Sequence, residues 1–166
     1  SAASDVYKRQ RQMCIRDRQM GASLYYRTLG LNCPNVPTTD FTSFIPRMEQ
    51  LIEAIESGEV TACHDISTGG IALAIIEMCM SGVGATISLA GNMRKDLELF
   101  NESNGRWLVQ VKPDYEENFS KRFDFAVKIG HVDKEIKFVL NNEEKLTFSI
   151  EELRKLWTEP LWNRLA

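Results

Sequence analysis

Phe44, Ile45, Met48, Leu51, Ile52 and Ile55 fall at i, i+1, i+4, i+7, i+8 and i+11, with Glu49, Gln50, Glu53 and Glu56 opposite. That apolar stripe on a helical period predicts an amphipathic helix. Thr42 or Ser43 is the expected cap, Gly58 the stop, and Pro46 an early residue whose missing N–H costs little. Val60 to Cys63 then reads as a short strand, and Ile71 to Met80 as a helix apolar almost all round, with Glu77 its one charge. A helix without a polar face is expected to be buried, here between a sheet and another layer.

Beyond the break at Ser81-Gly82-Val83-Gly84, Ala85 to Leu89 alternates like a strand and Arg94 to Phe100 is a short helical pattern. Trp107 to Val111 and Ala126 to Val132 are strands flanking a polar helix over Pro113 to Phe123. Ile136 to Leu140 and Leu146 to Ile150 alternate on either side of Asn141 to Glu144, which predicts a hairpin. Glu151 to Trp157 closes as a helix, with Trp157, Leu161 and Trp162 as an apolar anchor. Upstream, Gln19 to Asn32 carries Tyr25-Tyr26 in a segment of short-helix character, and Cys33 to Asp40, with Pro34 and Pro37, is an extended connector. Alternating strands and helices with a late hairpin predict an α/β (mixed α+β) fold, a mixed β-sheet carrying helices.

Residues 1–18 interrupt this order with no clear apolar period. Val6-Tyr7-Lys8-Arg9-Gln10 and Met13-Cys14-Ile15-Arg16-Asp17-Arg18 resemble translated adaptor or vector sequence. A basic disordered tail makes the same forecast, that no native structure is found there. The expected organisation is thus a tail over 1–18, a lead-in and connector over 19–40, and a single domain over 41–166.

At 166 residues the chain is long enough for one sizeable core and short for two. Its net charge of −3 conceals a tail rich in Lys and Arg and a more acidic body. Such a body has no overall pull on nucleic acid or an anionic membrane. Cys14, Cys33, Cys63 and Cys79 show no metal-ligand rhythm, which suits a reducing, cytoplasmic compartment. No apolar run is long enough to span a membrane.

The chemistry concentrates at two polar stretches. In the first, a strand enters Asp65-Ile66-Ser67-Thr68-Gly69-Gly70 and a helix begins at once. Strand, small-residue turn and helix start leave the first helical N–H groups aimed at the turn, where an anion meets those donors and the positive end of the helix dipole. Gly69 and Gly70 permit close backbone approach, and Ser67 or Thr68 either caps the helix or binds the ligand. A simple cap and a tight turn account for the same residues. The second stretch, Asn101-Glu102-Ser103-Asn104-Gly105-Arg106, places a carboxylate, a hydroxyl and a guanidinium in one turn. It suits a phosphate or polar substrate, or a Glu102–Arg106 pair that only fixes the turn. His64-Asp65 resembles a dyad on paper, but strand neighbours point to opposite faces, so His64 and His131 are read as structural. Tyr25-Tyr26 is read as packing. No Walker A sequence, GxGxxG or magnesium-type carboxylate cluster is present.

His64-Asp65-Ile66-Ser67-Thr68-Gly69-Gly70-Ile71, with Ala74 and Glu77, resembles the His-Asp-x-Ser-x-Gly-Gly-Leu loop and helix of the aminoimidazole ribonucleotide synthetase-related C-terminal domains. Within that superfamily, Phe100 to Val109, Ile129-Gly130-His131-Val132 and the ending Leu153 to Trp162 are most similar to the phosphoribosylformylglycinamidine synthase large-subunit family, over about Gly21 to Ala166. Ile71 replaces the usual Leu, and Thr68 stands where an acidic residue is common.

The resemblance implies a three-layer α/β domain, the last C-terminal domain of an ATP-dependent amidine-forming ligase of purine synthesis. Formylglycinamide ribonucleotide, ATP and glutamine-derived ammonia give formylglycinamidine ribonucleotide. ATP and Mg²⁺ are then held mainly by absent domains, with no cofactor expected in this chain alone. No catalytic or metal residue is implied here. Asp65, Ser67, Gly69 and Gly70, with Glu102, Ser103 and Arg106, match positions lining the ligand cleft or its pseudo-symmetric counterpart. Partners implied are the N-terminal ATP-binding domains of the same subunit, a glutaminase domain or subunit and the phosphorylated ribonucleotide, with no nucleic acid or membrane. Alone, the fragment is expected to expose an apolar surface and to be inactive. Alternatives are a related aminoimidazole ribonucleotide or selenophosphate synthetase, and a non-catalytic module binding a phosphorylated ligand.

Overall fold

The alternating stretches pair into one seven-stranded mixed sheet, of order β2-β4-β1-β5-β3-β6-β7. The computed structural model describes residues 5–9, 20–89 and 93–165. Its strands are β1 (Asp5–Arg9), β2 (Val60–Asp65), β3 (Gly84–Leu89), β4 (Trp107–Val111), β5 (Ala126–Asp133), β6 (Ile136–Leu140) and β7 (Glu144–Phe148). The helices are α1 (Leu24–Thr28), α2 (Phe41–Glu56), α3 (Gly70–Cys79), α4 (Lys95–Phe100), α5 (Glu116–Arg122), which a short 3₁₀ turn over Pro113–Tyr115 precedes, and α6 (Ile150–Leu165). Pairing is antiparallel except between β3 and β6.

Alternation along the strands sends apolar side chains to both faces, and each face has its own core. On one, Ile71, Ala74, Ile75 and Cys79 of α3 and Leu99 of α4 pack on Ala85, Ile87, Leu108, Ile129, Ile136 and Phe138, with Ile150 and Leu153 of α6 at the margin. On the other, Leu51 and Ala54 of α2 and Phe119 of α5 meet Tyr7, Val60, Val109, Val111, Phe123 and Phe125. Phe119 stacks on Phe123 with centroids 4.2 Å apart, and Tyr7 tilts against Phe119 at 5.3 Å. Each buried Leu, Ile, Val or Phe among them stabilises the fold by roughly 1.5–3 kcal/mol. Helices on both faces of a mixed sheet give the expected α/β architecture.

Three expectations are corrected. Residues 1–18 are expected to hold no structure, yet Asp5–Arg9 form an interior strand between β4 and β5. The physical reason is the adjacent pair Val6-Tyr7, which on a strand reaches both faces; Val6 enters one core and Tyr7 the other. The remainder of that tail up to Gln19 lies outside the described residues.

The α2 stripe is also only partly used. Asp40, not Thr42 or Ser43, caps the helix, its carboxylate accepting from the Thr42 N–H at 3.1 Å. Leu51 and Ala54 are buried, whereas Ile45, Ile52 and Ile55 are exposed. The helix lies against β2, the edge strand, so part of its apolar arc overhangs the sheet.

The hairpin closes two residues earlier than its alternation suggests, because Asn141 and Asn142 take left-handed φ values of 50° and 60°. Asn tolerates that region better than most side chains.

Candidate functional site

Both polar stretches lie together where β2 gives way to α3. The Ile66 N–H donates to the Arg106 carbonyl at 3.0 Å, stitching the turn to the Asn101–Arg106 knot. Gly69 and Gly70 have φ of 77° and 67°. A Cβ on Gly70 would stand 2.5 Å from the Leu99 carbonyl oxygen, so both the dihedral and the close packing require glycine.

Two of the donors at this turn are engaged within the protein. The Gly69 N–H donates to Glu102 Oε1 at 2.8 Å, and the Gly70 N–H to the Ser67 carbonyl at 3.0 Å. The Leu24 N–H, at the start of α1, donates to the same Glu102 oxygen at 2.9 Å. One carboxylate therefore caps two helix starts at once, where the positive ends of both dipoles favour it. The protein itself thus supplies a carboxylate to this turn.

The remainder of the knot turns inward. Arg106 is buried; its Nε donates to the Ser103 carbonyl at 3.0 Å and its Nη2 to the Asn101 carbonyl. Asn101 accepts from the Ser103 N–H at 2.9 Å and turns its amide nitrogen to Met20 Sδ. Ser103 is fully buried. Of the residues expected to form a phosphate cradle, Gly69 and Gly70 spend these two amides internally, and Ser103 and Arg106 face the interior. Of the sequence candidates, Asp65 and Ser67 are exposed and Glu102 is half-buried, joined by exposed Thr68 on the same turn.

Sequence reasoning missed the lead-in as part of this site. Ser23 caps α1 by accepting from the Tyr26 N–H, Tyr25 stacks on Phe100 at 4.7 Å, and the Tyr25 hydroxyl donates to Asp96 at 3.1 Å. Ser23 ahead of an apolar pair was the available signal, a cap residue of the preferred type. Beside it lies an apolar groove of about 280 Å³ lined by Leu24, Leu29, Leu73, Ile76 and Phe100. A larger cavity, about 380 Å³, lies between α3 and the sheet, walled by Ile75, Cys79, Ile87 and Leu108.

His64 Nε2 stands 3.2 Å from Glu77 Oε2, and its Nδ1 lies 2.6 Å from the Asp65 carbonyl oxygen. Helix α3 thus clasps the end of β2, a structural task for the ring. His131 is exposed on β5, opposite Thr86. Burial, with the Asp65 carboxylate adding to it, pushes the Cys63 thiol up, and burial pushes Cys79 up to about 11. Neither supplies a ready thiolate at neutral pH.

Among the described residues no group of three His, Cys, Asp or Glu is placed to hold a metal ion. Among them, too, no helix is long and apolar enough to cross a membrane.

A family described as AIR synthase related protein, C-terminal domain, matches residues 28–141. Among solved structures, phosphoribosylformylglycinamidine synthase II from Thermotoga maritima aligns over 92% of this chain and 26% of its own, at 16% identity and a TM-score of 0.68. PurL of that organism complexed with FGAR aligns over 92% of this chain and 28% of its own, at 17% identity and a TM-score of 0.70. The hydrogenase maturation protein HypE in complex with ATP aligns over 90% of this chain and 51% of its own, at 16% identity and a TM-score of 0.61. At such identities the likeness establishes the fold. The chain spans about a quarter of the Thermotoga proteins and about half of HypE.

Proposed function

We propose that this chain, which belongs to the AIR synthase related protein C-terminal domain family, is the last C-terminal domain of a phosphoribosylformylglycinamidine synthase. In that reading it supplies one wall of a ligand cleft and an interface for an ATP-binding domain, and is inactive alone. The complete enzyme joins glutamine-derived ammonia to formylglycinamide ribonucleotide at the expense of ATP. ATP and Mg²⁺ act there on other domains, and a glutaminase domain or subunit delivers the ammonia. The location is cytoplasmic.

The observation that carries the reading is the double cap by Glu102. It locks α1, the Asp65–Gly70 turn and the knot into one rigid ledge. Asp65, Ser67 and Thr68 remain exposed along that ledge, able to hydrogen-bond a polar ligand presented from a facing domain. Glu102, Gly69 and Gly70 hold the ledge in shape, and Ser103 and Arg106 buttress it from beneath. The adjoining groove of Leu24, Leu29, Leu73 and Ile76 offers apolar surface of the kind a domain interface covers.

The test uses the complete polypeptide that carries this chain. Asp65→Asn and Ser67→Ala are expected to raise KM for formylglycinamide ribonucleotide several-fold while leaving the melting temperature unchanged. Unchanged kinetics in both variants overturn the cleft-wall role. Turnover that depends instead on aminoimidazole precursors or selenide favours a related synthetase. Saturable ATP binding by the isolated chain in calorimetry favours a stand-alone binding module.

A further inference from the structure

We propose that the outward face of α2 is a docking seam for an amphipathic helix of a separate polypeptide, apolar at the matching spacing and basic along the flank that meets Glu49, Glu53 and Glu56. Phe41, Ile45, Met48, Ile52 and Ile55 recur at intervals of four, three, four and three residues. A row with that alternation is the seam by which one helix receives the side chains of another. Phe41, Ile45, Ile52 and Ile55 stand 66%, 48%, 44% and 43% exposed, and Met48 is half-buried.

The seam is not the side by which α2 holds the sheet. Phe44 stacks on Trp107 with centroids 5.2 Å apart, and Leu51 and Ala54 enter the core. These residues form a second row beside the first, so an apolar arc wider than the sheet contact is left in solvent. The Asp65–Gly70 ledge and its groove lie with α3, over the opposite face of the sheet. The seam therefore faces away from the wall proposed for a neighbouring domain of the same polypeptide, which assigns its occupant to another chain.

Charge selects among occupants. Glu49, Glu53 and Glu56 are exposed along one edge of the seam, and among the described residues no Lys or Arg pairs with their carboxylates. Arg47, the one cation of α2, lies instead over the Phe125 ring, 4.9 Å from its centroid. By contrast Glu59, Glu116 and Glu117 pair with Arg122, Lys128 and Lys121. A second copy lying antiparallel brings the carboxylate row against itself, and a parallel copy sets it against Phe44 and Leu51, which already pack on the body. An anionic membrane repels the same row. A helix with Lys or Arg on that flank supplies the missing charge, as flanking charges do when they choose partners in paired helices.

The experiment measures fluorescence anisotropy of a labelled synthetic helix, with leucine at every seam position and lysine on both flanks, against the full chain. Saturable binding is expected, and a twin helix with glutamate for every lysine is expected to bind about tenfold more weakly or worse. Ile52→Gln with Ile55→Gln, both at exposed positions, is expected to abolish binding without moving the melting temperature. Glu49→Lys, Glu53→Lys and Glu56→Lys together are expected to invert the preference, so that the glutamate twin binds the tighter. Equal binding of the two helices, a preference that the charge-reversed chain fails to invert, or binding that survives the glutamine substitutions overturns the proposal. Sedimentation that shows the wild-type chain dimerising, and Ile52→Gln with Ile55→Gln monomeric, gives the face to a second copy and contradicts it. Phosphatidylserine vesicles that retain the wild type but release that same variant contradict it equally.

Discussion

The Asp65–Gly70 turn and the Asn101–Arg106 knot look alike along the chain and behave oppositely in space. Both are short, polar and glycine-bearing, and both adjoin strand ends. The turn keeps Asp65, Ser67 and Thr68 in solvent, whereas the knot buries Asn101, Ser103 and Arg106 and sends Glu102 into the turn. One loop is a surface and the other is its scaffold. The difference teaches that a polar cluster can serve a neighbouring backbone rather than a ligand, because buried amides need partners as much as ligands do.

The contrast can be broken first at its steric centre. Gly70→Ala forces a Cβ against the Leu99 carbonyl oxygen at a φ of 67°, and is expected to cost about 3 kcal/mol or more, read as a lost or much earlier urea transition. Arg106→Met removes donors from two buried carbonyls and should cost about 2–3 kcal/mol in the same measurement. Glu102→Ala, which strands the Gly69 and Leu24 amides, should cost about 2 kcal/mol, while Glu102→Gln keeps an acceptor and should cost about 1 kcal/mol. At the exposed end, Ser67→Ala should move stability by less than about 0.5 kcal/mol. A Ser67→Ala loss as large as that of Arg106→Met would erase the distinction between surface and scaffold.

Much of the fold was legible in the sequence because it follows from periodicity. Trp107–Val111 matched its strand pattern end to end, and the apolar run after Gly70 became α3 within one residue. What stayed illegible depended on distant partners. Nothing in the spacing of Ile45, Ile52 and Ile55 reveals that α2 overhangs an edge strand, since that follows from where β2 sits in the sheet. Nor could Val6-Tyr7 announce a central strand while surrounded by arginines and lysine. The two polar loops were found as candidates, yet their division of labour was not, because Glu102 meets Leu24 from 78 residues away. Sequence showed which groups were chemically able, and packing decided which were spent.

The central claim is that Glu102 is the anion for which the α3 start is shaped. Thermal unfolding of the wild type and of Glu102→Ala, with and without inorganic phosphate at matched ionic strength, tests it directly. Phosphate is expected to raise the melting temperature of Glu102→Ala and to leave the wild type unmoved. An equal shift in both proteins, or none in the variant, contradicts the account.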